Sequence, residues 1–434
     1  MNKNLICLLT GICLFLEATS VSAGDQAIIA SATDEVSLGK LVEEAFQNHP
    51  EIKKARAEWS GTVERFPLET SLDDPMLGFV YYIEAMETIM GESEFEIQIE
   101  QQFPFPGTLR QQGRVLQKEI EIAELEYERV VRNVIADLKE AVYELHYIKG
   151  AIVITRQNQE LLREILLYAQ TKYSQQNIGL NEILRAESQL AQLEYDLITL
   201  RELEMVQQSV INTMLNRPTD SPIGSVYAPV PEAATPSLER LDQLALEQSQ
   251  EVRLANLGVE RAEEEIGLMR KRNLPMLRMG VGIEFMDENM PDEEMTPLMV
   301  SAGISIPLWY KKNRARVRVA EEEKQAALHE SESVENTLKI NLRKAYFELQ
   351  NALRLVELYR NHLIPQAQQA MQIAEEWNRG GMESVSETLE VQSVWLNFNL
   401  AWLRAQMDYA QAYVQLERLA GGSLTPILAG GNEP

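Results

Sequence analysis

The sequence predicts a mainly α-helical protein with a small β part, built as an internal tandem repeat. Three observations predict this class. Short sequence patches recur about 200 residues apart, long proline-poor segments carry apolar residues at coiled-coil spacing, and each copy contains a pair of segments in which apolar and polar residues alternate.

The repeat consists of several patches that keep their order along the chain. Ser37–Leu41 recurs as Ser237–Leu241 at an offset of 200, and Leu138–Leu145 recurs as Leu342–Leu349 at an offset of 204. A segment with five prolines, which stops a helix, separates the two copies. We therefore predict a first repeat at 24–216, a Pro-rich linker at 217–236, a second repeat at 237–420 and a polar tail at 421–434.

The first 23 residues have the features of a secretory signal peptide. Lys3 supplies the positive charge, Leu5–Leu16 is an apolar run, and Val21–Ala23 is typical of a cleavage site. We expect Sec export with cleavage near Ala23. The only two cysteines, Cys7 and Cys13, would leave with the signal, so the mature chain is predicted to lack disulfides and cysteine metal sites.

Charge and motifs exclude several classes of function. The formal net charge of −26 argues against nucleic acid or anionic lipid as partners. The sequence contains no nucleophile elbow, phosphate-binding loop or HExxH motif. We therefore predict that the protein is not an enzyme, with no catalytic residues and no cofactor.

Each copy contains a predicted β-hairpin, at 76–105 and at 275–308. Each strand is about ten residues long, the length of a tilted membrane-crossing strand, and in the first strand Leu77, Phe79, Tyr81 and Ile83 alternate with Gly78, Val80, Tyr82 and Glu84. Four such strands cannot close a barrel, and open edges are not tolerated in a bilayer, so we expect several protomers to pool their strands. The alternative is an ordinary sandwich hairpin with one face on a core.

Helices occupy most of each copy. A short helix is expected over Ser37–Glu64, and long helix pairs over 108–216 and 312–420. The pairs should reverse at Gly179 and at Gly380–Gly381, and Pro365 predicts a kink or a helix junction. The first long helix carries a coiled-coil seam of apolar residues spaced by three and four: Tyr127, Val131, Val134, Leu138, Ala141, Leu145, Ile148 and Ile152.

These features together resemble the TolC family of outer-membrane factors, and most closely its heavy-metal-efflux branch. The shared features are the duplicated unit, the opening Leu38–Ile52, the hairpin exit Phe103–Gly107, and the turn with Tyr173, Gly179 and Leu184. The resemblance implies a homotrimer in the outer membrane whose strands form a 12-stranded barrel, with long helices forming a tunnel through the periplasm. It also implies a periplasmic adaptor (membrane fusion protein), an inner-membrane pump and contact with outer-membrane lipid.

Two alternatives stay open at this stage. The same fold serves as the duct of type I peptide or protein secretion systems. A soluble periplasmic coiled-coil scaffold would explain the signal and the heptads, although it leaves the four alternating strands without a role.

Two groups of candidate site residues follow. In the family, the helix reversals meet at a periplasmic tip that gates the tunnel, and the matching positions are Gly179, Asn181, Glu182, Gly380, Gly381, Glu383 and Glu387. A carboxylate ring there would select cations, whereas the plainer reading is that each acidic residue caps the returning helix. Thioethers suit soft Cu(I) or Ag(I). Candidate metal contacts in the hairpin loops are therefore Met86, Met90, Met286, Met290 and Met295.

Overall fold

A computed structural model describes residues 36–88, 91–176, 178–224, 226–227, 237–286, 298–380 and 385–424. The predicted signal peptide, part of the linker and the last ten residues lie outside these ranges. The chain divides into two compact units. The sheet unit comprises Lys54–Arg129 and Leu246–Leu338, and the helix unit comprises Met1–Lys53, Val130–Ala245 and Lys339–Pro434. Each unit therefore takes segments from both predicted repeats.

Helices dominate the described chain, as predicted. In chain order they are α1 (Leu38–Asn48), α2 (Pro50–Thr70), α3 (Thr108–Ser174), α4 (Leu180–Met214), α5 (Leu238–Gln248), α6 (Gln250–Lys271), α7 (Tyr310–Leu358), α8 (Ile364–Gly380) and α9 (Val385–Ala420). No helix in the described ranges is both long and apolar enough to cross a membrane.

The single helix expected over Ser37–Glu64 is wrong, because the chain breaks at His49 and forms α1 and α2 instead. His49 adopts φ −59° and ψ 128°, the extended conformation that a following proline favours. Pro50 then begins α2, where its missing N–H costs nothing. Ser249, the equivalent residue in the second copy, has nearly the same angles (φ −58°, ψ 129°) although Gln250 follows it. The break therefore does not require proline.

Four strands form one antiparallel sheet in the order β2-β3-β5-β6, where β2 is Met76–Thr88, β3 Gly91–Phe103, β5 Leu277–Met286 and β6 Leu298–Ile304. The two hairpins predicted from alternation are β2–β3 and β5–β6. They join through β3 and β5, with Ile97 opposite Ile283. Strand β6 ends at Ile304, before the predicted hairpin end at 308. Just beyond it, the Ser305 amide donates to the Met276 carbonyl, and the Ser305 hydroxyl accepts from the Met276 amide.

A separate pair of short strands lies in the helix unit. Strand β1 (Val36–Ser37) runs parallel to β4 (Val226–Tyr227), so the start of the first copy pairs with the linker. Arg217, the first residue of the predicted linker, forms an ion pair with Glu44 of α1. These contacts hold described parts of the predicted Pro-rich linker against the helix unit.

The predicted coiled-coil seam of α3 is buried. Leu138 and Leu145 are among the most deeply buried side chains, and only Val131 of the eight seam residues is half-exposed. Leu138, Ala141 and Leu145 pack within the helix unit against residues of α1, α4 and α9, including Leu41, Ile211 and Met407. Period-3.5 patterning therefore located this core correctly.

The expected disruption at Pro365 is confirmed, as a π-helical turn at Tyr359–Leu363 between α7 and α8. Proline has no N–H to donate to the carbonyl of Asn361, and its ring would collide with that carbonyl in a regular helix. Widening the preceding turn relieves the collision, and π-turns are a usual form of such a defect.

Candidate membrane face and helical tip

One face of the four-stranded sheet is apolar and exposed. Directly paired residues lie on the same face, and the register aligns Leu77, Ile99, Val281 and Val300 in one row. The next row contains Phe79, Ile97, Ile283 and Leu298, and a third contains Tyr81, Phe95 and Phe285. Ile83 is 92% exposed and Val300 72%, although both would be buried in a sandwich core.

The opposite face is polar and rich in glycine. Glu96 lies opposite Glu284 and Val80, and Gln98 lies opposite Gly78 and Gly282. A Cβ at Gly282 would approach within 3.2 Å of the Ile97 carbonyl oxygen, so close strand packing favours glycine there. The two faces thus differ in chemistry, one apolar and the other mostly polar.

The sheet is open, because β2 and β6 each have a neighbour on only one side. Within the described residues, no strand pairs with their outer edges. An exposed apolar face with two open edges is unstable in water and in lipid alike unless further strands cover the edges.

The first helix reversal lies between α3 and α4. Gly179, the predicted reversal point, is extended at φ −85° and ψ 155° and serves as the N-cap of α4. Among the described residues of this reversal, Gln176 adopts the left-handed conformation, at φ 60°. An added Cβ at Gly179 would meet nothing within 4 Å, so the position tolerates a side chain.

The second reversal lies between α8 and α9, and Glu182 links it to the first. The backbone amide of Val385, the first residue of α9, donates to Glu182 Oε2 at 3.1 Å. The expectation that this carboxylate caps its own helix is therefore incomplete, since it caps the return helix of the other copy. Arg185 Nη1 also donates to Ser386 Oγ at 3.2 Å.

The other predicted tip residues have simpler positions. Asn181 is exposed in the first turn of α4, Glu387 is exposed in the first turn of α9, and Gly380 is the last residue of α8. Gly381 and Glu383 lie outside the described residues. The structure therefore brings together Glu182 and the start of α9, and leaves any carboxylate ring untested.

Buried polar contacts support this pair of reversals. Gln392 of α9 is 2% exposed, and its Nε2 donates to the Asn158 side-chain and main-chain oxygens at 3.0 and 3.1 Å. Around them, apolar residues such as Leu162, Ala186 and Leu389 form one cluster. A shallow groove of about 570 Å³ runs beside it, lined in part by Leu184, Arg185, Ser386 and Val394.

Sequence reasoning missed a charged contact between α3 and α9. Arg404 Nη1 lies 2.9 and 2.8 Å from the two carboxylate oxygens of Glu144, and its Nε lies 2.8 Å from Asp408. The guanidinium also stacks 5.0 Å from the Tyr147 ring centre. Arg404 and Asp408 at a four-residue spacing on one helix were the available signal.

The predicted metal contacts remain a prediction. Met90, Met290 and Met295 lie outside the described residues, and Met86 and Met286 are placed only as backbone positions of β2 and β5. Within the described ranges, no group of three or more His, Cys, Asp or Glu residues could hold a metal ion.

Part of the chain is similar in sequence to a known protein family. Residues 241–422 match the model of the family described as outer membrane efflux protein. No curated protein matches the chain in sequence. The matched region covers most of the second repeat, from α5 to just beyond the end of α9.

Solved outer-membrane proteins share the fold at low sequence identity. The outer membrane protein VceC of Vibrio cholerae has 17% identity and a TM-score of 0.75, covering 89% of this chain and 96% of its own. The CmeC outer membrane channel of Campylobacter jejuni has 14% identity and a TM-score of 0.72, with 94% of each chain covered. The open-state MtrE outer membrane channel of Neisseria gonorrhoeae has 15% identity, a TM-score of 0.72, and 89% of each chain covered.

The second repeat thus matches the outer membrane efflux protein family in sequence, and the chain as a whole has the fold of these outer-membrane channels.

Proposed function

We propose that this chain is one protomer of an outer-membrane efflux duct, the outer component of a tripartite system. The observation that carries the proposal is the four-stranded sheet, with aligned rows of exposed apolar residues on one face and glutamates and glycines on the other. Such a sheet suits lipid outside and water inside. The match of the second repeat to the efflux-protein family supports the same conclusion.

Open edges on β2 and β6 require further strands, which other copies of the chain would supply. Three copies with four strands each would make a 12-stranded barrel, with outer-membrane lipid against the apolar rows. The long helices α3, α4, α7, α8 and α9 would continue the duct into the periplasm. A periplasmic adaptor and an inner-membrane pump would complete the system, and nucleic acid has no role in it.

Fractionation tests this proposal directly. We expect the full-length protein in the outer membrane, as an oligomer that resists mild detergent and dissociates on heating. Recovery as a soluble periplasmic protein would instead establish the coiled-coil scaffold and end the duct proposal.

The tip proposal is that the two reversals form the constriction of the duct, with Gly179, Asn181, Glu182, Gly380, Gly381, Glu383 and Glu387 at or near it. The support is the contact between Glu182 and the amide of Val385, which joins the reversals of the two copies at one place. Single-channel conductance is the readout, since loosening this contact should raise the open probability.

For the cargo we propose heavy-metal cations such as copper or silver. The support is the composition of the hairpin loops, which combine Met86, Met90, Met286, Met290 and Met295 with acidic residues. A deletion strain should lose tolerance to copper or silver rather than to dyes and detergents. Replacing the five methionines by leucine should reproduce that loss if the loops contact the metal.

The opposite pattern, lost drug tolerance with unchanged metal tolerance, would refute the metal cargo but not the duct. Loss of a secreted peptide with normal tolerance to both would identify the type I secretion alternative.

A further inference from the structure

A pocket lies where the strands of the sheet unit meet its helices. We call it the junction pocket, and six of its lining residues carry the argument: Leu68, Phe105, Thr108, Lys271, Arg272 and Arg316. Its volume is about 620 Å³. Strands β2 and β5 begin and strands β3 and β6 end at this side of the sheet, so the pocket adjoins the end of the apolar face from which the helices leave.

Three cations of the pocket contact only neutral oxygens among the described residues. Lys271 Nζ donates to the Gly107 carbonyl at 2.8 Å, Arg272 Nη2 to Gln112 Oε1 at 2.8 Å, and Arg316 Nη1 to Asn273 Oδ1 at 3.0 Å. Elsewhere in the sheet unit, cations such as Arg114, Lys118, Arg270 and Lys324 pair with glutamates. The three cations of the junction pocket thus make no direct contact with a carboxylate among the described residues. Arg272 does act electrostatically on the nearby Glu265, where it partly offsets the rise in the pKa of that carboxyl caused by burial.

The carboxylates of the pocket wall do not offset these cations. Glu69 already accepts from Arg65 at 2.6 Å and from Gln112 at 2.9 Å. Asp73 is the other acidic residue in the wall. The pocket wall therefore contains three cations and only two carboxylates, one of which already accepts hydrogen bonds from other residues. This local excess of cations occurs in a chain whose net charge is −26.

The start of α7 adds positive charge. Lys311, Lys312 and Arg314 precede Arg316, and Arg318 follows it, while the first turn contains no acidic residue. Cations at a helix N-terminus oppose the helix dipole, which favours anions there. This arrangement costs stability in the free chain and is relieved when an anion binds.

Thr108 supplies an independent sign of a ligand. It is 9% exposed, it lies in the pocket wall, and its hydroxyl has no hydrogen-bond partner in the described part of the chain. A buried hydroxyl without a partner destabilises the fold, so such a group commonly marks a missing partner. A phosphate oxygen is an acceptor that the Thr108 hydroxyl, the guanidinium groups and the ammonium group could share.

Apolar residues surround these polar groups. Leu68 is 77% exposed, and Phe105 is 40% exposed at the exit of β3. Trp309 and Tyr310, directly before the cationic segment, are 74% and 78% exposed. Aromatic side chains of this kind belong at the boundary between a bilayer and water, beside lipid headgroups. An anion with attached acyl chains fits this combination better than a free anion.

We propose that the junction pocket binds the headgroup of an anionic phospholipid. The inference rests on the proposed function, which puts the apolar face in the outer membrane and this end of it at the periplasmic leaflet. The net charge of −26 argues against anionic lipid as a partner, but the local excess of cations in the junction pocket favours it at this one place.

The test uses the full-length protein in an uncharged detergent, with retained lipid counted by native mass spectrometry. Phosphatidylglycerol should be retained about tenfold better than phosphatidylcholine, the effect of roughly one charge-assisted hydrogen bond. The variant K271Q/R272Q/R316Q should lose this preference. The control R253Q/R261Q/K324Q removes the same amount of charge from α6 and α7 outside the pocket and should retain the preference.

Two further measurements, one on another variant and one with competing anions, test the lipid assignment. The variant T108V should lower phosphatidylglycerol retention about threefold, and R316Q alone replaces the triple variant if that variant fails to assemble. Inorganic phosphate or an acidic peptide at equal concentration should not displace the lipid. Displacement by either would overturn the lipid assignment, as would equal retention of the two lipids or equal loss in the control variant.

Failure of this inference is distinguishable from failure of the duct proposal. Outer-membrane recovery without a phosphatidylglycerol preference would reject the junction pocket alone, whereas soluble recovery would reject both.

Discussion

The sheet and the coiled-coil seam contain the same kinds of residues in opposite situations. Leu138 and Leu145 on α3 are at most 2% exposed, whereas Leu77 and Leu298 on the sheet are 70% and 67% exposed. In the seam, apolar groups are removed from water within one chain. On the sheet, the apolar groups remain exposed in the single chain and are available for contact with another apolar surface. Periodicity identifies the apolar face in both regions, but only the packing shows what is to cover it.

The largest expected effect is in the seam. Leu138→Ala should lower the free energy of unfolding by about 2–5 kcal/mol, because it leaves a cavity in a closed core. Urea denaturation measures the change. Leu167→Ala on the same helix is the matched control, since Leu167 is 66% exposed. Equal effects of the two substitutions would show that the seam is not packed as described.

On the sheet, introducing a charged side chain should destabilise the protein more than truncating an apolar one. Val281→Arg, in the middle of the apolar row, should destabilise the membrane-inserted state by about 2–4 kcal/mol per protomer. Refolding into lipid vesicles measures this. The control Gln98→Arg lies on the opposite face of the neighbouring strand and should be tolerated. If both arginines insert equally well, the apolar face does not contact lipid.

The Arg404 contact lies between these extremes, because it is charged and half-buried. Arg404→Ala removes hydrogen bonds to Glu144 and Asp408, with an expected loss of about 1–2 kcal/mol after allowance for solvent screening. The exposed Arg201 of α4 gives the control substitution, Arg201→Ala. Thermal unfolding of both variants at low and high salt measures the change. A loss of stability in Arg404→Ala that does not depend on salt would indicate that Arg404 stabilises the protein by packing on Tyr147 instead.

Glu182 tests whether the two reversals act as one. Glu182→Ala should cost about 1 kcal/mol, the usual worth of a helix cap, and should speed hydrogen exchange at the Val385 amide. Glu187→Ala, an exposed site on the same helix, should leave that amide unchanged. Unaltered exchange in both variants would contradict the contact.

The smallest effect is expected at Glu140 of α3, where burial raises the pKa of the carboxyl above its ordinary value. The folded chain therefore takes up this proton at a higher pH than the unfolded chain, and ionisation at neutral pH weakens the fold. Glu140→Gln should raise stability at pH 7 by up to about 0.5 kcal/mol, with the gain fading as the pH falls through the raised pKa. A gain that persists unchanged at pH 4 would need another cause.

Much of the fold could be predicted from the sequence, because its helices and strands have strong periodicity. The bounds of α3, the alternating faces of β2 and β5, and the disruption at Pro365 all depend on local pattern. The break at Ser249 could not be predicted in this way, since nothing in Ser249-Gln250 forbids a helix.

Contacts between distant segments were also beyond local pattern. Glu182 was predicted at the tip, but its partner Val385 is 203 positions away, and Arg404 meets Glu144 across 260 positions. The junction pocket gathers residues from α2, β3, α3, α6 and α7, so its charge is visible only after folding.

The pairing of β3 with β5 has a consequence for how the chain folds. Roughly 170 residues separate the end of β3 from the start of β5, against about 11 between β5 and β6. By loop-closure entropy, the long connection costs about 2.5 kcal/mol more to close than the short one. Each hairpin can form early, because its two strands are close in sequence. The pairing of β3 with β5 forms only after the intervening helices have brought these two strands together. The sheet is therefore completed late in folding, and a chain cut after the first copy would retain a hairpin without its partner.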